Sequence, residues 1–132
     1  MEASASVTIS LHATVSPSED PDKVLAAARN ILGDCVYEVE QRDGSLMLRS
    51  NEVSCLQKIH DQFRDRHVRA AANRLLLRMR DGRRITILLN RQAATAGVAA
   101  LCTSATESPL GPLVLQIETD RPEAVIDWLT AY

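Results

Sequence analysis

Residues 7–33 read VTISLHATVSPSEDPDKVLAAARNILG and contain the two periodicities that decide the fold class. Over Val7–Val15 apolar residues alternate with polar ones, which predicts a half-buried strand with one wet face. The pair Asp20-Pro21 can then cap and begin a helix, and apolar residues recur at helical spacing over Val24–Leu32 until Gly33 ends the run. A strand followed by an amphipathic helix favours a sheet packed against helices.

The rest of the chain continues this alternation of strands and helices. A hairpin is predicted around Asp43-Gly44, and a helical region from about Asn51 to Met79 is divided into two helices by the charged segment Arg64–His67. Strands at Ile85–Leu89 and Leu113–Ile117 and a helix after Pro122 complete the pattern. The predicted fold class is α+β, with a mixed or antiparallel sheet packed against helices in two layers, and residues 1–132 form a single domain.

The periodic positions also predict a core and leave one segment without regular structure. The expected core contains Ile9, Leu11, Val24, Ile31, Leu75, Ile87, Leu115 and Trp128. About twenty residues between Asn90 and Pro112 have little propensity for helix or strand, which is long for a compact domain. Within them, Val98–Cys102 could form a short extra strand.

Composition excludes several classes of protein. The chain has 132 residues, of which 45% are hydrophobic and 24% charged, as in an average soluble globular domain. A secretory signal pattern and a long apolar run are both absent from the sequence, so the expected location is the cytoplasm and no membrane partner is expected. The three cysteines Cys35, Cys55 and Cys102 form no CxxC pair, so we expect buried thiols rather than a disulfide framework or a zinc site.

The charge distribution is strongly polarised along the chain. The stretch Lys58–Arg91 holds ten basic and three acidic residues, a net charge of plus seven. The remaining residues hold five basic and fourteen acidic side chains, a net charge of minus nine. Such polarity favours a docking face for a polyanion. The alternative is an ordinary helix with arginines on its solvent face, on a protein acidic enough to repel nucleic acid.

Candidate contacts to a polyanion lie on the second of the two central helices and at both ends of the following strand. A helical wheel places Arg66, Arg69, Asn73 and Arg80 on the solvent side, with Arg74 and Arg78 along one flank. Amide and guanidinium groups at a strand end can contact phosphate, ribose or base edges. The predicted RNA-binding residues are Arg66, Arg69, Arg80, Arg83, Arg84, Asn90, Arg91 and Gln92.

Each part of this set has a structural alternative. The Asn90 and Gln92 side chains could instead hydrogen-bond backbone groups of a loop. Arg78 and Arg80 fall in the last turn of a helix, where cations complement the helix dipole.

Catalytic and metal-binding patterns are missing from the sequence. His12, His60 and His67 show no spacing typical of a metal site, and Asp61 and Asp65 have basic neighbours that predict ordinary surface ion pairs. The chain contains no GxSxG, P-loop or GxGxxG motif. We therefore expect no catalytic residue, no metal, no cofactor and no enzymatic activity.

Four segments carry a resemblance to a known family: Ser16–Val24, Asn90–Ala94, Glu107–Pro112 and Ile126–Leu129. They resemble the signature segments of an archaeal family catalogued as uncharacterised protein family 0201. The resemblance implies an α+β fold similar to the ribosomal protein L-five-like superfamily, a cytoplasmic archaeal protein and RNA binding. The family commonly shows lysine where this chain has Arg91, and the segment Thr95–Thr106 is unusually rich in alanine.

Two functions from different classes follow from these observations. The chain has only four aromatic residues of the kind that stack on bases: Tyr37, Phe63, Trp128 and Tyr132. The expected mode of RNA recognition is therefore contact with the phosphates and shape of a structured RNA. The alternative is a homodimeric interaction protein without a nucleic-acid ligand, suggested by uncapped strand edges and by faces of opposite charge.

Overall fold

The fold is seen in a computed structural model that describes residues 7–104 and 110–131. Its strands are β1 (Val7–Thr14), β2 (Glu38–Arg42), β3 (Ser45–Ser50), β4 (Arg80–Asp81), β5 (Arg84–Leu89) and β6 (Leu113–Thr119). Its α-helices are α1 (Pro21–Leu32), α2 (Gln57–Asp65), α3 (Arg69–Met79), α4 (Arg91–Thr95) and α5 (Pro122–Leu129), and a 3₁₀ turn at Val53–Leu56 precedes α2.

The strands form one antiparallel sheet in the order β2-β3-β1-β6-β5-β4. The alternating strand β1 lies in its interior, where Leu11 pairs with Leu48 of β3 and Leu115 of β6. All three side chains are buried together with apolar residues of the helices, whereas the alternate positions Ser10 and His12 are half-buried on the open face. The α+β prediction is thus confirmed, and the sheet is antiparallel.

Local sequence chemistry sets the ends of the helices. The Asp20 carboxylate accepts a hydrogen bond from the Asp22 N–H at 3.0 Å, Pro21 occupies the first turn of α1, and Gly33 ends the helix with φ of 74°. The predicted break between α2 and α3 is also confirmed. His67 lies in that break with φ of 58°, a left-handed conformation that cannot continue a right-handed helix.

The predicted core is largely confirmed. Seven of the eight expected residues are buried, while Trp128 is half-buried and stacks on the His60 ring at a centroid distance of 4.7 Å. The expected extra strand at Val98–Cys102 is reduced to one bridge between Leu101 and Leu89. Two backbone hydrogen bonds flank it, from Asn90 N to Ala100 O and from Cys102 N to Leu88 O. This pairing fastens the long segment to the end of β5.

The cysteine prediction was wrong for two of the three residues. Cys35 and Cys55 form a disulfide with a Cα–Cα distance of 5.2 Å, while Cys102 is buried and is not part of this disulfide. The hairpin of β2 and β3 returns the chain on itself, so the residue before the hairpin meets the 3₁₀ turn after it. Cys35 itself precedes β2, which begins at Glu38.

Candidate nucleic-acid interface

The outer face of α3 is basic and contains no acidic residue. Ala72, Leu75 and Leu76 turn inward to the core, which leaves Arg74 and Arg78 exposed one helical turn apart. Leu77 is 48% exposed on the same face, and Ala70 and Ala71 add two small exposed side chains. In the part of the chain that the structure describes, Arg74 and Arg78 make no ion pair.

The solvent-exposed face of α3 is rotated about the helix axis from the face that the helical wheel predicted. Arg69 and Asn73 were expected on the solvent side, yet both are half-buried. The Asn73 amide donates a hydrogen bond to Thr130 Oγ1 at 3.0 Å, because α5 packs against this flank of α3. The flank that carries Arg74 and Arg78 is the exposed one.

The hairpin of β4 and β5 follows α3 directly and brings three further arginines to the same end of the sheet. Arg83 and Arg84 are exposed, and Arg83 Nε lies 3.5 Å from the Thr119 carbonyl oxygen. Arg80 is half-buried and donates from Nη1 to Glu123 Oε1 at 2.7 Å, so its charge is largely compensated. We name Arg74, Arg78, Arg83 and Arg84 the arginine surface; within it, Arg84 lies on the open face of the sheet with Arg49 and Glu118.

Arg66 lies beside this surface rather than within it. Its side chain is exposed at the break between α2 and α3, and Nη1 donates a hydrogen bond to the Ala99 carbonyl at 3.0 Å. This bond holds the guanidinium against the segment after α4. Arg66 therefore has a structural role even though it faces solvent.

Arg91 has a different environment from the one expected of a ligand-binding residue. It is only 5% exposed, and its Nη1 lies 2.9 Å from the Glu19 carboxylate. Nη1 also donates to the Thr14 carbonyl at 2.7 Å, and Nε donates to the Gly111 carbonyl at 2.9 Å. The guanidinium thus joins three separate segments of the chain. Its burial conflicts with the prediction that it contacts phosphate, so we leave Arg91 out of the interface.

Asn90 and Gln92, the neighbours of Arg91, differ: the first bonds to backbone and the second is exposed. The Asn90 side-chain oxygen accepts a hydrogen bond from the Ala93 N–H at 2.9 Å, which makes Asn90 the N-cap of α4. Gln92 is exposed and lines a shallow cavity of about 350 Å³ together with Lys23 and Leu110. The sequence allowed Asn90 a hydrogen bond to backbone groups of a loop, but it indicated neither the helix that Asn90 caps nor Glu19 as the partner of Arg91.

The other titratable side chains of the described residues form no metal-binding cluster. No three His, Cys, Asp or Glu side chains within residues 7–104 and 110–131 could hold a metal ion. His60 Nδ1 lies 3.1 Å from Asp61 Oδ1, and hydrogen bonds from His60 and Gln57 lower the pKa of the Asp61 carboxyl. In the same residues, none of the helices has the length and apolar character needed to span a bilayer.

Comparison with known proteins places this geometry in a family. A family model described as RNA binding matches residues 8–119. A UPF0201 protein of Sulfolobus acidocaldarius is 38% identical over 122 residues, which cover 91% of this chain and 84% of that protein. A UPF0201 protein of Sulfurisphaera tokodaii is 39% identical over 125 residues, covering 92% and 86% respectively.

The chain belongs to the archaeal UPF0201 family. The structure of the UPF0201 protein from Methanococcus jannaschii has a TM-score of 0.76 at 22% identity and covers 94% of this chain and 99% of that one. A further UPF0201 crystal structure has a TM-score of 0.70 at 28% identity, covering 84% of this chain and 81% of that one. The UPF0201 fold and family expected from the sequence are therefore confirmed.

Proposed function

We propose that this UPF0201 protein binds structured RNA in the cytoplasm through phosphate and shape contacts on the arginine surface. The observation that carries the proposal is the exposure of four arginines on two consecutive elements, of which α3 has no acidic residue. Guanidinium groups donate to phosphate oxygens in a fixed fork geometry, and their binding releases counterions from the RNA. The match to an RNA-binding family model supports the same ligand class.

The shape of α3 suits a close approach by a nucleic-acid backbone. The small side chains of Ala70 and Ala71 leave room next to Arg74, and Arg74 and Arg78 project from a helix rather than from a loop. Stacking on aromatic rings contributes little, because Phe63 is fully buried and Trp128 is already stacked on His60. We therefore propose recognition of a duplex or hairpin, with no enzymatic step.

Acidic residues limit the affinity of this surface. Glu123 compensates Arg80, Glu118 lies opposite Arg84 in the sheet, and Asp81 ends β4 and pairs with Arg84 across the hairpin. These carboxylates repel RNA from the flank of the arginine surface that faces β6 and α5. The principal phosphate contacts are accordingly assigned to Arg74, Arg78 and Arg83.

The test compares two triple variants that remove the same charge. The first is R74Q/R78Q/R83Q, and the matched control, K23Q/R29Q/K58Q, changes two cations of α1 and one beside the end of α1, away from the arginine surface. Binding of a hairpin RNA is measured as a function of salt. Each lost phosphate contact lowers the slope of log affinity against log salt by roughly 0.7 to 0.9, so the first variant should flatten it by about two to three units. The control should keep the parental slope.

Two outcomes would contradict this proposal. One is a folded R74Q/R78Q/R83Q variant that binds the hairpin with unchanged affinity and slope. The other is a parent protein that binds no RNA even at about 50 mM salt, where electrostatic binding is strong. The second outcome would favour the alternative function, an interaction protein without a nucleic-acid ligand.

A further inference from the structure

The two edges of the sheet offer very different templates to another strand. The edge strand β4 has only two residues, Arg80 and Asp81, whereas the opposite edge strand β2 has five. Within residues 7–104 and 110–131, β2 pairs with β3 alone. It contains no proline, and four of its five residues are exposed. A long unpaired edge of this kind can accept a further strand.

The hydrogen-bond pattern shows which backbone groups of β2 point outward. Val15 N donates to Gly44 O at 2.9 Å, so Gly44 and the alternate residues of β3 after it bond towards β1. The intervening residues of β3 bond towards Arg42, Glu40 and Glu38 of β2. The N–H and C=O groups of Val39 and Gln41 therefore point away from the sheet.

Antiparallel pairing of β2 with a second copy of itself has three registers that use these groups, centred on Val39, Glu40 or Gln41. Centring on Val39 places Glu38 opposite Glu40 of the other copy at two positions. Centring on Glu40 places Glu38 opposite Arg42 at two positions, but it also places the Glu40 carboxylate opposite its own counterpart. Centring on Gln41 places Glu40 opposite Arg42 at two positions and creates no like-charge pair. Since opposite charges across strands are favourable and like charges unfavourable, the sequence selects the last register.

We infer that this protein forms a homodimer through β2, with the two strands antiparallel and centred on Gln41. Glu40 and Arg42 already form an ion pair within one chain and are 42% and 75% exposed, respectively. In the dimer, the two Glu40 and two Arg42 side chains alternate between negative and positive charge around the two-fold axis. The dimer would also cover Val39, which is 41% exposed at this edge. Charges on an edge strand normally discourage pairing, and here the same charges reject the two other registers.

Charge reversal tests the register directly. The E40R and R42E variants each create two like-charge pairs, so each should raise the dimer dissociation constant by at least about tenfold. The double variant E40R/R42E restores two opposite-charge pairs and should recover the dimer. A mixture of the two single variants should form a heterodimer, because each supplies the charges that the other lacks. Light scattering across a concentration series should give twice 14.5 kDa for the parent.

A backbone test separates pairing from side-chain effects. Proline at position 41 removes an N–H that points out of the sheet, so Q41P should abolish the dimer while circular dichroism of the monomer stays unchanged. The inference would be overturned by a parent that is monomeric at millimolar concentration. It would equally be overturned by a dimer that tolerates E40R, R42E and Q41P. None of these changes lies on the arginine surface, so the dimer and the RNA proposal can fail separately.

Discussion

The two ends of strand β5 use arginine for opposite purposes. Arg83 and Arg84, at its beginning, are exposed on the hairpin, whereas Arg91, just after its end, is 5% exposed. In sequence, these residues contribute equally to the basic stretch Lys58–Arg91. In the structure, the arginines at one end face solvent, whereas the arginine at the other end forms an ion pair and hydrogen bonds inside the protein. Local charge density therefore identifies a basic segment but not an interface.

The buried end depends on the shape of the guanidinium. Arg91 donates from Nε and Nη1 in different directions, to Gly111 and Thr14, while Glu19 balances its charge. A lysine at this position would keep the ion pair with Glu19. A single ammonium group lacks the planar fork that reaches both carbonyls in this arrangement. This chain therefore uses arginine as a clamp between β1, the loop before α1 and the segment before β6.

The largest expected effect is the loss of this clamp. R91M leaves the Glu19 carboxylate, whose side chain is 12% exposed, without its cation. Removing one partner of a buried ion pair costs about 3–5 kcal/mol of unfolding free energy. Urea denaturation followed by circular dichroism measures the loss. The matched variant R78M, on the exposed face of α3, should stay within about 0.5 kcal/mol of the parent.

A double variant checks the assigned cause. If the cost comes from an uncompensated carboxylate, E19M/R91M should be destabilised by less than the sum of E19M and R91M, with a coupling of about 0.5–3 kcal/mol. Strict additivity of the two single variants would show that Glu19 and Arg91 stabilise the protein independently. The clamp would then be wrong as an explanation.

The sequence predicted what local chemistry controls. The alternation in β1, the Asp20 cap, the turn at Asp43-Gly44 and the break near His67 all depend on neighbouring residues, and all are present. A hydrogen bond between the Asn90 side chain and nearby backbone was also accessible as an alternative, because amide side chains favour such local bonds, although the helix α4 itself was not predicted. The fold class follows from these elements.

Contacts between distant segments could not be predicted in the same way. Glu19 and Arg91 are 72 residues apart in sequence, and no local pattern links them. The disulfide of Cys35 and Cys55 depends on how the β2–β3 hairpin folds back. The orientation of α3 was misassigned because the wheel treated the helix as one-sided, while α5 covers a second flank near Asn73.

A smaller effect is expected from the cap next to the clamp. N90A removes the oxygen that accepts from Ala93 N, which should lower the unfolding free energy by about 1 kcal/mol. Because Asn90 lies at the structural end of β5, the salt dependence of RNA binding should not change. The exposed residue Asn51 provides the control N51A, with little effect on either quantity. If N90A flattened the slope of log RNA affinity against log salt, Asn90 would contact RNA and this end of β5 would be part of the interface.

The smallest effect is expected at Asp61, a partly exposed residue of α2. Hydrogen bonds from His60 and Gln57 lower the pKa of its carboxyl below the ordinary 3.8. The resulting stabilisation is complete above the unfolded-state pKa and is lost as the pH falls through the lower folded-state pKa. Since the side chain is 42% exposed, solvent screening limits the contribution to less than about 0.5 kcal/mol. Unfolding free energy measured from about pH 7 down to about pH 3 should therefore decline slightly less in D61N than in the parent. A decline in D61N equal to or steeper than the parental one would show that the His60 and Gln57 contacts do not stabilise the ionised carboxylate.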